Sequence, residues 1–198
     1  MVKEGCEQMG NSHKKIVSLC SGTGSWEKPY FDNGYDVYPI TLPEHDVRLY
    51  IPPENVHGIL AAPPCTEFSF AKHYHGKGNY SHDFIAGLEI VSACMRIILT
   101  ATPKFWVLEN PRGYLKRFLG KPQFIFNPCD FGDPYRKETH LWGVFKKCIP
   151  NPIDPKNKKF SMLHSKEIQP DFYGVLTRQV RRAITPPGFA RAFFESNP

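Results

Sequence analysis

The stretch ILAAPPCTEFSFAK, residues 59–72, decides how this chain is read. Ile59 to Ala62 form a short apolar run of the kind buried in a sheet. Pro63 and Pro64 end it, and Cys65 follows at the carboxyl end of that strand, ahead of a polar loop that carries Phe68 and Phe70. A buried cysteine is usually inert packing. The stiff diproline approach and the polar neighbours Thr66 and Glu67 argue for the other possibility, a thiol presented to a ligand.

Outward from this point, strands and helices alternate. KIVSLCSGTGSW, residues 15–26, reads as a buried strand from Ile16 to Cys20 that runs into a glycine turn. A helix through EKPYFDNG (27–34) is ended by Gly34, and YDVYPITL (35–42) is a second strand. After a polar loop at 71–83, FIAGLEIVSACMRIILTA (84–101) has apolar residues at helical spacing behind an Asp83 cap. FWVLEN (105–110) is a strand stopped by Pro111, RGYLKRFLG (112–120) a short helix closed by Gly120, and HLWGVF (140–145) a further strand. This alternation predicts an α/β fold with a mostly parallel sheet and helices on both faces. Ligands in such sheets bind at the carboxyl ends of strands. The glycine turn, Pro-Pro-Cys and Glu-Asn-Pro all fall there.

Composition bounds the rest. A chain of 198 residues has room for one domain with a sizeable core. No run of eighteen apolar residues to cross a bilayer is expected, and the start has no secretory pattern. The six cysteines (6, 20, 65, 94, 129 and 148) show neither CxxC pairs nor Cys/His ligand spacing. That argues against a metal site or a disulfide framework and fits a reducing cytoplasm. Nine Lys or Arg stand against three acids between Gly143 and Arg182, which equals the whole net charge of +6. Such a segment is either a polyanion contact or a solvated lysine-rich loop.

Two candidate groups carry chemistry. The turn CSGTGSW lets a backbone approach a nucleoside cofactor, or is a plain tight turn. Glu109 ends an apolar strand in VLENP, either as a turn residue or facing Cys65 across neighbouring strand ends. In the latter case the two form a nucleophile and an acid: one adds to a ring, the other protonates or hydrogen-bonds the ring nitrogen that gains electron density.

The order of these motifs, with DFGDPYRKETHLWG (130–143) and RRAITPPGFARAFFE (181–195), resembles the DNA cytosine-5 methyltransferases, most of all small phage or prophage members, over residues 16–195. The resemblance implies a Rossmann-like S-adenosylmethionine-dependent methyltransferase fold in a single catalytic domain, acting on double-stranded DNA in a bacterial or phage-infected cytoplasm. It makes Cys65 the nucleophile that adds to C6 of a flipped cytosine and Glu109 the partner of N3, with Lys137 and Arg136 in the family's arginine roles. Around S-adenosyl-L-methionine it places Cys20, Ser21, Gly22, Gly24, Trp26, Thr41, Leu42, Asp46, Val47, Pro63, Ala183 and Ile184. Asp46 would read the adenine amino group. Loop 66–83 would close over the DNA, and the AIT of 183–185 would pack beside the cofactor.

There are departures from the pattern. Cys20 stands where the family has Phe, and Thr41 or Leu42 stands where a carboxylate holds the ribose, which implies weaker cofactor binding. The family's Gln-x-Arg-x-Arg is YRKET here, and lysine lacks the planar fork. A short basic insert, 143–177, replaces a recognition domain, which implies short or relaxed sequence specificity and phosphate contacts independent of sequence. Three other readings stay open: a cofactor-shaped binding module without turnover, a pyrimidine-nucleotide enzyme, and an RNA-modifying enzyme.

Overall fold

The computed structural model describes residues 10–70, 72, 81–155 and 173–198. Most of the arm at 1–14, most of the loop at 71–83 and the lysine-rich part of the insert lie outside the described residues. The sheet has strands β1 (Lys15–Leu19), β2 (Asp36–Ile40), β3 (Val56–Ala61), β4 (Phe105–Pro111), β5 (Phe124–Phe126) and β6 (Thr139–Val144), in the order β2-β1-β3-β4-β6-β5. β2, β1, β3 and β4 are parallel, and β6 runs antiparallel between β4 and β5. The expected mostly parallel α/β sheet is present with the five strands inferred from the sequence, and β5 is an addition to them. β1 stops one residue early because Cys20 takes a left-handed conformation, φ 58°.

Side chains alternate across the sheet. Val17, Leu19, Ile59, Ala61 and Leu108 face helix α2 (Phe84–Ala101), which buries Val91, Cys94, Ile97 and Ile98 against them. Ile16, Leu60, Val107 and Leu141 face the other way, onto α1 (Lys28–Asp32) and the C-terminal α5 (Pro187–Ser196). Short helices α3 (Lys116–Leu119) and α4 (Arg178–Ala183) complete the set. Asp83 caps α2 as expected, its carboxylate accepting from Ala86 N at 3.0 Å. One expectation needs correcting. By length and composition α2 could cross a membrane. Its buried face covers the sheet, while Arg96 donates to the carbonyls of Arg48 and Tyr50, so it serves as a core helix.

α5 is held at both ends. Phe189 stacks on Phe126 with ring centroids 4.0 Å apart, and Tyr30 Oη donates to Asn197 O at 2.8 Å. At its start Asp133 accepts from Gly188 N at 3.1 Å, and burial pushes the Asp133 carboxyl up to about 6. An unfolded aspartate titrates near 4. The folded state therefore holds this proton more tightly, and the associated stability is lost as pH rises from about 4 through about 6. Asp133→Asn keeps an acceptor and removes the titration. Its melting temperature should gain on the wild type by roughly 3–6 °C over that interval, read by thermal unfolding at each pH. A gap that stays constant with pH would refute this.

Candidate active site

The carboxyl ends of β1, β3 and β4 share one edge of the sheet, and each leads into a motif singled out in the sequence. β1 leaves through the glycine turn, where Gly22 and Gly24 adopt φ 60° and 74°. β3 leaves through Pro63 and Pro64 to Cys65, whose carbonyl accepts from Phe68 N (3.0 Å) and Ser69 N (2.8 Å) to close a single turn. β4 contributes Glu109 and Asn110. The fully buried Asn110 donates from Nδ2 to Pro63 O at 2.9 Å, which ties the Pro-Pro-Cys loop to the neighbouring strand end. The sequence marked Asn110 only as Glu109's neighbour; here it braces the loop that carries the thiol.

A second brace lies beyond Cys65. Ser69 bridges Gly113, and Tyr114 N donates to Phe68 O at 2.7 Å. The backbones approach so closely that a Cβ on Gly113 would sit 2.1 Å from Phe68 O. Gly113→Ala should therefore cost about 2–4 kcal/mol in denaturant unfolding. It should also shift the Cys65 turn and depress any activity that depends on it. Unchanged unfolding would mean that the loop is not docked there.

The loop expected at 66–83 is described only at its two ends, and Glu67 joins them. Its Oε2 pairs with Lys72 Nζ and accepts from Asp83 N at 2.7 Å, while its carbonyl bonds His82 Nδ1 at 2.7 Å.

Electrostatically Cys65 and Glu109 belong to one cluster. Burial pushes the Cys65 thiol up; Lys137 opposes this, Glu109 reinforces it and Arg182 opposes it. Burial also pushes the Glu109 carboxyl up, against Lys137 and His140. A carboxyl that keeps its proton can donate it, and a thiol that keeps its proton stays quiet until a ligand arrives. Lys137 acts electrostatically on both groups, with its ammonium donating to Arg182 O at 3.0 Å. His140 lies in register with Asn110 and bonds Glu138 Oε1 at 2.8 Å.

Two expectations about the cluster change. Arg136 is exposed and acts on the Cys129 thiol, not on Cys65. The second cation at Cys65 is Arg182, from α4, which the sequence reading did not assign. Only its place in RRAIT, beside the expected Ala183 and Ile184, pointed to it.

The residues expected around a cofactor divide into those at the edge and those in the core. Cys20 N donates to Ile40 O at 2.8 Å, and the Cys20 thiol is held below its ordinary range by a hydrogen bond with Cys94, with Asp46 also acting on it. Asp46 accepts from Arg48 Nη2 at 2.5 Å and from Arg48 N at 2.9 Å, which together hold its carboxyl down at about 2. Thr41 follows β2 directly, and Leu42 is 68% exposed. Val47, Pro63 and Ile184 are buried, and Ala183 ends α4. Trp26 departs from expectation: it is 3% exposed, with its ring 5.9 Å from Phe189 and 5.7 Å from Phe193, so it packs α1 to α5 instead of lining the turn.

This sheet order, with its reversed strand and its site at the parallel strand ends, is a Rossmann-like methyltransferase fold. A solved structure of a candidate DNA modification methyltransferase encoded within a prophage (E. coli) shares it, with a TM-score of 0.50 and 17% identity over 75% of this chain. The chain spans about half of that protein, 54% of its length. A Frog virus 3 (isolate Goorha) protein named "Probable DNA (cytosine-5)-methyltransferase" is 27% identical over 156 residues, 69% of this chain and 73% of its own length. The resemblance drawn from the motifs is borne out by that relative. No family model matches the chain.

Proposed function

We propose that this chain is an S-adenosylmethionine-dependent DNA cytosine-5 methyltransferase in a single domain, with Cys65 as nucleophile and Glu109 as acid. The observation that carries this reading is the meeting of Cys65 and Glu109, from the ends of adjacent strands, with Lys137 acting on both and Arg182 on Cys65, beside a glycine turn.

The residues present fit the cofactor. The turn is bare of side chains at Gly22 and Gly24, and one buried carboxylate oxygen beneath it, Glu27 Oε1, lacks a hydrogen-bond partner among the described residues. Cys20, Ser21, Thr41 and Asp46 would line the nucleoside side. When bound, the cofactor supplies an electrophilic methyl group.

The protein's own part begins with Cys65 adding to C6 of a cytosine turned out of the duplex, which forms the Cys65–C6 bond and pushes electron density toward C5 and N3. Glu109 gives its proton to N3 as that charge develops. Lys137 and Arg182 favour the thiolate, and Lys137 also steadies the carboxylate that Glu109 becomes. Once C5 holds the methyl group, water takes the C5 proton, the C6–Cys65 bond breaks to release the thiolate, and N3 returns its proton to Glu109, which restores the ring. The basic insert supplies phosphate contacts, and its shortness goes with relaxed base readout.

The test offers labelled S-adenosylmethionine separately with duplex DNA, RNA and dCMP. Label in DNA is expected. Label in RNA or in the free nucleotide would move the substrate class, and heat of cofactor binding without transfer to any of the three would favour a binding module.

A further inference from the structure

Beneath the glycine turn lies a carboxylate that the chemistry at Cys65 does not use. Glu27 is 4% exposed. Its Oε2 accepts from Ser18 Oγ on β1 at 3.0 Å, while Oε1 has no hydrogen-bond partner among the described residues. That free oxygen stands 3.6 Å from where a Cβ on Gly24 would be, on the side of the turn left bare by Gly24's missing side chain. The groups that face Glu27 are few. Its own backbone N–H acts on the carboxyl group, β1 offers the Ser18 hydroxyl, the turn offers the Ser21 hydroxyl, and α5 brings the rings of Phe189 and Phe193 against neighbouring Trp26. No charged side chain acts on it among the described residues, and burial pushes its carboxyl up.

A buried carboxylate oxygen without a partner is costly, and a compact cation is what such a site lacks. A neutral ligand group would leave the charge unmatched. An ammonium would match it and bring three donors to one oxygen.

We propose that Glu27 Oε1 receives the α-ammonium group at the amino-acid end of the cofactor, a role in which Gly24 is the opening and Ser18 the support. The proposal rests on the reading of this chain as an S-adenosylmethionine-dependent enzyme. It has a consequence that does not depend on turnover: burial favours the protonated form of Glu27 in the empty protein and an arriving ammonium favours the charged form, so binding should displace whatever proton the empty site holds. Affinity should rise as pH rises through the range in which the empty site titrates, and each bound ligand should release up to one proton.

The test uses the wild-type protein and two ligands, S-adenosylhomocysteine and its analogue lacking the α-amino group, in calorimetry between about pH 5 and pH 8 with buffers of different ionisation enthalpy. S-adenosylhomocysteine should bind about 10- to 100-fold more tightly than the analogue, the range of a charge-assisted hydrogen bond, and only it should release protons. In Glu27→Gln, checked for an unchanged melting temperature, the proton release should vanish and the two ligands should bind within about threefold of each other. Equal binding of both ligands by the wild type would overturn this proposal alone and make Glu27 a brace between β1 and α1. So would proton release that persists in Glu27→Gln. Failure of the wild type to bind either ligand would remove the cofactor reading as well.

Discussion

Cys65→Ser should abolish methyl transfer to DNA, by at least about a thousandfold, while leaving the fold intact. A serine hydroxyl is close in size but has no accessible anion at neutral pH, and neither Lys137 nor Arg182 can ionise it as they help ionise a thiol. The turn that holds residue 65 is made by its carbonyl and by Asn110, so the substitution touches no brace. The measurement is label incorporation into duplex DNA beside a thermal melt. A duplex with fluorine at C5 of the target gives a second readout, because the ring then has no C5 proton to lose and the Cys65–C6 bond should survive denaturing electrophoresis. Transfer that persists in the serine variant would end the covalent mechanism.

Glu109→Gln should lower the rate by about 10²- to 10⁴-fold, the worth of a positioned general acid. The amide fills the same space and can still hydrogen-bond N3, but it cannot give up a proton. The pH dependence carries the sign. Under the proposed mechanism the wild type needs Glu109 protonated and Cys65 ionised at once, so its rate should fall at both low and high pH. Burial pushes both groups up, which moves both limits of this window toward higher pH. Without Glu109 only the thiolate requirement remains. The residual rate of the variant should then climb with pH and not turn down; a bell of unchanged shape would show that some other group supplies the proton.

The sheet was legible in the sequence because its inner strands are short apolar runs closed by glycine or proline, as ILAAPP is. α2 was legible from its helical periodicity and its Asp83 cap. β5 was not, since the three residues Phe124–Phe126 are too few to show any period. α5 had a signal that went unread: Pro187 in its first turn and Phe189 and Phe193 four apart on one face. At the site, motif order singled out Cys65 and Glu109, but contact between distant segments cannot be read from local pattern. Arg182 comes to Cys65 only because Lys137 holds the end of α4 by a backbone carbonyl, and Trp26 leaves the turn only because α5 offers two phenyl rings.

The reversed direction of β6 sets a rule for how far this protein could be shortened. β6 starts beside Pro111 at the edge that carries Cys65 and Glu109 and ends opposite Trp106 at the far edge, so whatever follows it departs on the opposite side. To deliver Arg182 the chain has to travel back across the sheet, about 20 Å for a strand of this length. Some six extended residues can cover that distance. The connection between β6 and α4 thus has a floor fixed by geometry, and length above that floor is free to be traded for contacts with a substrate.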